Sequence, residues 1–243
     1  MTAAIAAGRR ALPRGYSHLA LQFVIWFGFY AAYQVARGAA DRSAAEAFEN
    51  GRRVIDLQRH LGGVVEVGLQ QFVEQSSLLV QATSYTYWLS QFAVIGIALL
   101  YVYFRAHDRF YRFRDTLIVA NLIGLVGYVV VPTAPPRMFP EWGFSDTLAQ
   151  YGAVNHSSSL VAFASNPYAA MPSLHATDAL IVGVVMAIVV RRPWAKALWL
   201  AWPAWVWFSV MATGNHFWLD ILAGVAVAAA AGAIVLRYRR TPV

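Results

Sequence analysis

The sequence predicts an all-α polytopic membrane protein: a bundle of six transmembrane helices plus an interfacial amphipathic helix. Of its 243 residues, 59% are hydrophobic and only 13% are charged, whereas soluble domains average about 45–50% apolar and about 25% charged residues. Six apolar runs approach the length of about 20 residues that a spanning helix needs. Short clusters of cations lie between these runs. This composition excludes a soluble globular protein and a disordered chain.

The apolar runs define the predicted spans in chain order. They cover residues 19–35, 78–104, 116–131, 174–190, 198–211 and 217–236. The first run follows three arginines and has the appearance of a signal peptide. It is longer than the apolar part of a typical signal peptide and has no clear small-residue cleavage site, so we expect it to be retained as a membrane anchor.

The segment 41–74 is too charged to cross the bilayer. Its apolar residues recur at helical spacing with arginines and acids between them, which predicts an amphipathic helix lying in the membrane interface. A helix that caps the bundle as part of its ordinary core is an equal alternative. Glu66 and Glu74 in this segment are expected to be solvated. We expect one membrane domain over 1–243, with the first span and the interfacial helix in 15–80.

The charge pattern predicts the orientation and the partners. There are 19 Lys and Arg against 12 Asp and Glu, a net charge of +7. The cations concentrate in the amino tail, 105–114, 191–196 and the carboxyl tail, which fall on one face of a six-span protein. The positive-inside rule places that face, and both termini, in the cytoplasm of a bacterial-type plasma membrane. The cations are expected to contact anionic lipid and not nucleic acid.

A few ionisable residues lie at the predicted outer ends of spans, and intramembrane ionisable residues are functional candidates by default. They are Arg137, His175, Asp178, His216 and Asp220. His216 and Asp220 are spaced i,i+4 and share one helix face. A carboxylate beside an imidazole fixes its tautomer and makes the other nitrogen a better nucleophile or base. An Asp that caps its helix beside an interfacial His is the structural alternative.

Two further groups suggest an anion site. His175 follows Met-Pro-Ser173-Leu, where the free backbone amides of a helix start and the Ser173 hydroxyl can bind an anion. Two histidines, one carboxylate and one arginine at one membrane face suit phosphoryl chemistry, as nucleophile, acid, orienter and charge clamp. The absence of cysteine excludes thiol nucleophiles and Cys-zinc sites.

These stretches resemble the signature motifs of the PAP2 (type 2 phosphatidic acid phosphatase) superfamily, six-helix membrane phosphatases and phosphotransferases. Ala-Met-Pro-Ser-Leu-His175 is similar to its second motif, Asn-His216-Phe-Trp-Leu-Asp220 to its third, and Pro-Pro-Arg137 stands in place of its first. The leucine before His175 and Thr213 before His216 resemble the subgroup that contains inositol phosphorylceramide synthase. The resemblance covers roughly 115–236 and implies a PAP2-like core within 81–243.

The resemblance implies a two-step mechanism without metal or cofactor. His216 attacks phosphorus and forms a phosphohistidine while Asp220 holds its other ring nitrogen. His175 protonates the leaving oxygen and then activates water or an acceptor alcohol. Arg137 and Ser173 bind the phosphate oxygens. With unperturbed histidine pKa values near 6.5, this acid–base pair is expected to give a bell-shaped pH profile.

Two of the family's phosphate-binding cations are absent from their usual places. Val130 stands where the first motif has a Lys, and Val210 where the third has an Arg. An arginine from 37–59 is a candidate replacement; without one, weak activity or a diester substrate is expected.

The leading hypothesis is therefore phosphoryl transfer on a lipid phosphate, a polyprenyl diphosphate or a phospholipid headgroup at the outer face. Hydrolysis and transfer share the first half-reaction, so both stay open, as does the oligomeric state. One alternative is a metal-dependent hydrolase with His175, His216, Asp178 and Asp220 as ligands. The other is a non-catalytic lipid-binding or transport protein, although the inverted repeats and broken helices of transporters are not visible in the sequence.

Overall fold

The computed structural model describes residues 12–39, 43–151 and 166–239, and most of them are helical. Within these ranges the only β pairing is an isolated bridge between Thr133 and Ala169. The helices are α1 (Gly15–Ala39), α2 (Ala44–Leu61), α3 (Glu66–Glu74), α4 (Ser77–Leu89), α5 (Ile95–Arg105), α6 (His107–Val130), α7 (Thr147–Tyr151), α8 (Leu174–Val189), α9 (Pro193–Ala212) and α10 (Trp218–Tyr238). Arg9, Arg10 and Arg240, used for the predicted orientation, lie outside the described residues.

The all-α membrane architecture is confirmed. Among the described residues, four helical segments are long and apolar enough to cross a bilayer: Gly15–Gly38, Ser77–Arg105, His107–Val130 and Trp218–Tyr238. The second of these joins α4 to α5 through a π-helical turn, Ser90–Val94. The helix α8 is apolar but has only 16 residues, and α9 is not among the four. The count of six spans stays a prediction.

The helix α8 lies at the centre of the bundle, in contact with α5, α6, α9 and α10. It approaches α10 closely because Gly224 has no side chain. A Cβ added at Gly224 would lie 2.5 Å from the carbonyl oxygen of Ser173 and 2.9 Å from the Thr177 hydroxyl. Small residues permit such backbone contact between membrane helices. This contact brings together the beginnings of α8 and α10, where the second and third motif stretches lie.

The basic residues Arg14, Arg109 and Arg239 lie at one end of the bundle. Arg14 donates to the Tyr111 hydroxyl, Arg239 pairs with Asp115, and Arg109 donates to the Ile188 carbonyl oxygen. These contacts place the beginnings of α1 and α6 beside the ends of α8 and α10. The beginnings of α8 and α10 therefore lie at the opposite end of the bundle.

The amphipathic segment forms two helices, α2 and α3, which are connected through Gly62 and Gly63. They pack against the end of the bundle at which α8 and α10 begin. The Ala134 amide donates to the Ala47 carbonyl oxygen (3.0 Å) and Asn50 donates to the Pro132 carbonyl oxygen (2.9 Å). The segment therefore packs against the bundle, while Leu57, Leu61 and Phe72 stay exposed, and its location in the membrane interface stays a prediction.

The expectation that Glu66 is solvated is wrong. Its side chain is fully buried, and its carboxylate accepts hydrogen bonds from the Gln58 side chain (2.9 Å) and the Trp218 backbone amide (2.6 Å). The acid thus satisfies a free amide at the start of α10, where the helix dipole also favours negative charge. Burial raises the pKa of Glu66 above its ordinary value.

Candidate active site

Backbone hydrogen bonds join the three motif stretches to one another. The Arg137 amide donates to the Gly214 carbonyl oxygen (2.9 Å), and the Ser173 amide donates to the Asp220 carbonyl oxygen (3.0 Å). The isolated bridge links the stretch after α6 to the stretch before α8, with the Ala170 amide donating to the Thr133 carbonyl oxygen (3.2 Å). Segments far apart in sequence therefore form one framework at this end of the bundle.

This framework encloses a cavity of about 90 Å³ lined by Arg137, His175 and His216. The centroids of the two imidazole rings are 5.7 Å apart. The predicted convergence of these three residues is thus present in the structure. Both rings lie close enough to contact opposite sides of one bound phosphate group.

His216 is held by its Nδ1 atom. That nitrogen lies 2.9 Å from the Ala170 carbonyl oxygen and 3.4 Å from Oδ2 of Asp220. Because a carbonyl oxygen only accepts hydrogen bonds, Nδ1 carries the proton in this arrangement. The unprotonated nitrogen is then Nε2, whose lone pair is available for nucleophilic attack.

Asp220 contributes to the helix start as well as to His216. It is completely buried, and its Oδ2 accepts a hydrogen bond from the Phe217 amide (2.8 Å). This bond is shorter than the distance to His216, so the carboxylate both caps α10 and fixes the turn that presents the imidazole. The nearest partner of Nδ1 is the Ala170 carbonyl, a backbone group with no signature in the sequence.

The pKa of His216 differs from its expected value near 6.5. Burial, with a further contribution from the nearby Arg137 guanidinium, lowers the pKa of His216 to about 3. Both effects disfavour a positive charge on the imidazole. The lowered pKa favours a neutral ring at physiological pH, which is the protonation state that a nucleophilic imidazole needs.

His175 is in the first turn of α8 and stacks on Tyr87, with ring centroids 4.3 Å apart. Tyr87 comes from α4 and fixes the plane of the imidazole. Ser173 caps the same helix, since its hydroxyl accepts a hydrogen bond from the Ala176 amide (3.3 Å). Ser173 is completely buried and, as far as the described residues show, is not among those that line the cavity. A phosphate-binding role for its hydroxyl stays a prediction.

Arg137 is positioned by the third motif stretch. Its Nη1 donates to the Asn215 side-chain oxygen (2.5 Å), and its Nε lies 3.7 Å from Asp146. The neighbouring Gly214 has φ of 68°, and a Cβ there would lie 2.6 Å from the Ser145 carbonyl oxygen and 3.3 Å from the Cβ of Arg137. Glycine is therefore required at the turn that carries Asn215 and His216.

Arg37, near the end of α1, also lines the cavity. Its guanidinium lies over the Tyr128 ring, 5.6 Å from the centroid. Its Nε is buried and has no hydrogen-bond partner within the described part of the chain. The sequence indicates only that a replacement cation lies within 37–59. The packing of α1 against α6 identifies Arg37 as the arginine of that range that lines the cavity.

Val130 and Val210 stand where the resembled motifs have a Lys and an Arg. Among the described residues, neither valine lines the cavity. The Val130 side chain is 66% exposed on the outside of the bundle, while Val210 is fully buried in an apolar cluster with Ala176, Val206 and Ile221. Among the described residues that line the cavity, the cations are Arg37 and Arg137.

The acids proposed as metal ligands have other partners. Asp178 accepts a hydrogen bond from Asn121 (3.1 Å), and Asp220 binds the Phe217 amide. Residues 12–39, 43–151 and 166–239 contain no group of three or more His, Asp or Glu arranged to hold a metal ion. Nothing in this geometry favours the metal-dependent alternative.

Comparison with known proteins identifies the family. The PAP2 superfamily profile matches residues 52–234. A phosphoinositol dihydroceramide synthase from Bacteroides thetaiotaomicron is 30% identical over 158 residues, which cover 59% of this chain and 50% of that protein. The chain thus spans about half the length of this curated relative. The crystal structure of Aquifex aeolicus LpxE is similar with a TM-score of 0.49 and 14% identity, over 70% of this chain and 94% of that one. The profile covers about three quarters of the chain, and the protein is therefore a member of the PAP2 superfamily.

Proposed function

We propose that the protein transfers a phosphoryl-containing group from a membrane lipid through a phosphohistidine on His216. The observation that carries this proposal is the cavity in which two histidines, 5.7 Å apart, face two arginines. A neutral imidazole, a second imidazole and two fixed cations are the groups that a phosphoryl transfer in two steps requires.

In the first step, Nε2 of His216 attacks phosphorus and the bond from phosphorus to the leaving oxygen breaks. His175 enters this step as an imidazolium and donates one proton to that oxygen, so the leaving group departs as an alcohol and His175 becomes neutral. In the second step, water or an acceptor alcohol loses its proton to His175 and attacks phosphorus, and the phosphorus–nitrogen bond breaks. His216 and His175 return to their original protonation states.

The proposed substrate is a phospholipid headgroup or a lipid phosphate. The bundle is a membrane protein, and its cavity lies at the end opposite the basic segments, which the positive-inside rule assigns to the cytoplasm. We therefore place the cavity at the outer face. The similarity to a phosphoinositol dihydroceramide synthase favours transfer of the group to an acceptor alcohol, with hydrolysis as the competing outcome when water enters.

A substrate panel tests this proposal. Purified protein in lipid nanodiscs is incubated with a lipid phosphate monoester, a polyprenyl diphosphate and phosphatidylinositol, with and without an acceptor lipid alcohol. Phosphate release and headgroup exchange are measured separately, and the His216→Ala variant serves as the blank. Exchange or release above that blank supports the proposal. Rates equal to the blank on all three substrates would contradict it.

Arg37→Ala is expected to lower kcat/KM by about 10- to 100-fold, because a hydrogen bond to a charged group contributes about 1.5–3 kcal/mol. Arg37→Lys keeps the charge and should recover part of the loss. Arg53→Ala is the matched control, since Arg53 lies exposed on α2 and pairs only with Glu49 among the described residues. The measurement is the steady-state kcat/KM of the wild type and of these three variants. An Arg37→Ala variant with wild-type kcat/KM would show that Arg137 suffices.

The lowered pKa of His216 gives a spectroscopic prediction. With a pKa of about 3, the ring stays neutral as the pH falls from about 7 to about 5, a range in which an ordinary histidine with a pKa near 6.5 becomes charged. NMR of histidine-labelled protein measures this directly, with the signal assigned by its loss in His216→Ala. His60, exposed on α2, supplies a reference histidine signal in the same sample. A midpoint near 6.5 for His216 would refute the inferred environment.

A further inference from the structure

A second cavity, of about 290 Å³, lies next to the candidate active site among α1, α5, α6 and the π-helical turn. Four residues line both cavities, namely Trp26, Tyr30, Gln91 and Phe92. Most of the other side chains on the wall of the second cavity are apolar, including Leu19, Phe23, Phe27, Leu99 and Leu100. An apolar groove thus continues from the wall of the polar cavity.

The groove runs along α1 toward the basic end of the bundle. Its lining residues on α1 extend from Tyr30 back to Leu19, a helical distance of roughly 16 Å at 1.5 Å per residue. At its far end lie Gln22 and Arg114, which are hydrogen-bonded to each other. The groove therefore extends from the wall of the phosphate cavity to this polar pair, on the side of the bundle that carries the basic segments.

We infer that this groove binds one alkyl chain of the lipid substrate while the phosphate group lies between His216 and the two arginines. This inference rests on the proposed function. Two observations support it: the groove shares a wall with the phosphate cavity, and its lining is apolar where a chain attached to that phosphate would pass. The other occupant to be considered is a bilayer lipid that has no connection with the site.

The groove is expected to orient the substrate more than to attract it. Lipid tails are as apolar as the groove lining, so moving a chain from the bilayer into the groove gains little hydrophobic free energy. A chain fixed in the groove instead limits where its phosphate can lie, and correct placement of the reacting group contributes strongly to rate. The groove thus predicts a preference for lipid phosphates over soluble ones.

Gly96 offers a selective way to fill the groove. It lines the groove on α5, and a Cβ added there meets no atom within 4 Å in the described structure. Phenylalanine at this position would project into open space. Gly28 is the matched control: it also lies in a membrane helix with open space at its Cβ, and among the described residues it lines neither of these cavities.

The kinetic test compares Gly96→Phe with Gly28→Phe on a long-chain phosphatidic acid and on a soluble aryl phosphate. We expect Gly96→Phe to lower kcat/KM for the lipid by at least about tenfold, equivalent to about 1.4 kcal/mol, and to leave the aryl phosphate rate unchanged. Unchanged aryl phosphate turnover also shows that the variant folds. Gly96→Leu should give a smaller loss. Wild-type lipid kinetics in Gly96→Phe would overturn the inference.

A binding measurement separates this inference from the proposed function. Phosphatidic acid with a diazirine in the middle of one chain is photocrosslinked to the wild type and to Gly96→Phe. Labels on Phe92, Leu99 and Leu100 that disappear in Gly96→Phe and are competed by unlabelled phosphatidic acid support the groove, even if no turnover is found. Labels spread over outward-facing residues such as Val24 and Ile97, and insensitive to Gly96→Phe, would show bilayer lipid and overturn it.

Discussion

His216→Ala is expected to abolish turnover, with a loss of at least about 10³-fold in kcat, as for a residue that acts within a catalytic unit. The reason is that Nε2 of this ring forms the covalent bond to phosphorus, and His175, the other imidazole of the cavity, is engaged as the acid. The loss should be the same for every leaving group. Rates are measured on an aryl phosphate and on a lipid phosphate.

Two further variants make this result interpretable. Removing the imidazole leaves the buried Ala170 carbonyl without its donor, which costs about 1–3 kcal/mol of stability. His216→Gln keeps a donor of similar length and should be stable but equally inactive. His60→Ala, on the exposed surface of α2, should retain wild-type kcat. A well-folded His216→Gln or His216→Ala protein with a near wild-type rate would contradict the mechanism.

His175→Ala is expected to show a loss that depends on the leaving group. An alkyl oxygen leaves only when it receives a proton, so the variant should retain little activity on an alkyl monoester, within the range of about 10²–10⁴-fold typical of general acid catalysis. An aryl oxygen or a diphosphate leaves without that proton, so measurable activity should remain on those substrates. The plot of log rate against leaving-group pKa should therefore be steeper for His175→Ala than for the wild type.

His175→Ala also removes a ring that stacks on Tyr87, so a second variant is needed to separate loss of the acid from loss of this packing. His175→Phe keeps a planar ring in that stack and should repeat the leaving-group dependence of His175→Ala. Equal losses across leaving groups of different acidity, in both variants, would mean that His175 is not the acid.

The helical membrane architecture could be predicted from local patterns, and the meeting of the three motif stretches from the charge pattern along the chain. Apolar run length predicts spanning helices, and the i,i+4 spacing predicts that His216 and Asp220 lie near one another. Charge counting places Arg137, His175 and His216 at one membrane face, and the structure brings them to one cavity.

The remaining features depend on contacts between distant segments. The sequence predicts that Glu66 is a solvated acid on an amphipathic helix. In the structure, the Glu66 carboxylate accepts a hydrogen bond from the Trp218 amide at the start of α10. In the sequence, Arg37 follows the first apolar run and has no feature that sets it apart from the arginines after it. In the structure, α1 extends to Ala39, and Arg37 lines the cavity. The depressed pKa of His216 follows from burial, which no motif encodes.

The most direct test of the phosphohistidine mechanism is to trap the intermediate. Protein is mixed with an excess of a phosphate ester that has a good leaving group, quenched within the first turnovers under alkaline conditions that preserve phosphohistidine, and digested for mass spectrometry. Using His175→Ala should increase the trapped fraction, since the residue that activates water or the acceptor is missing. The mechanism predicts one phosphoryl group on the peptide that contains His216, absent from His216→Gln. A phosphoryl group on another residue, or none in a variant that still turns over the ester, would contradict it.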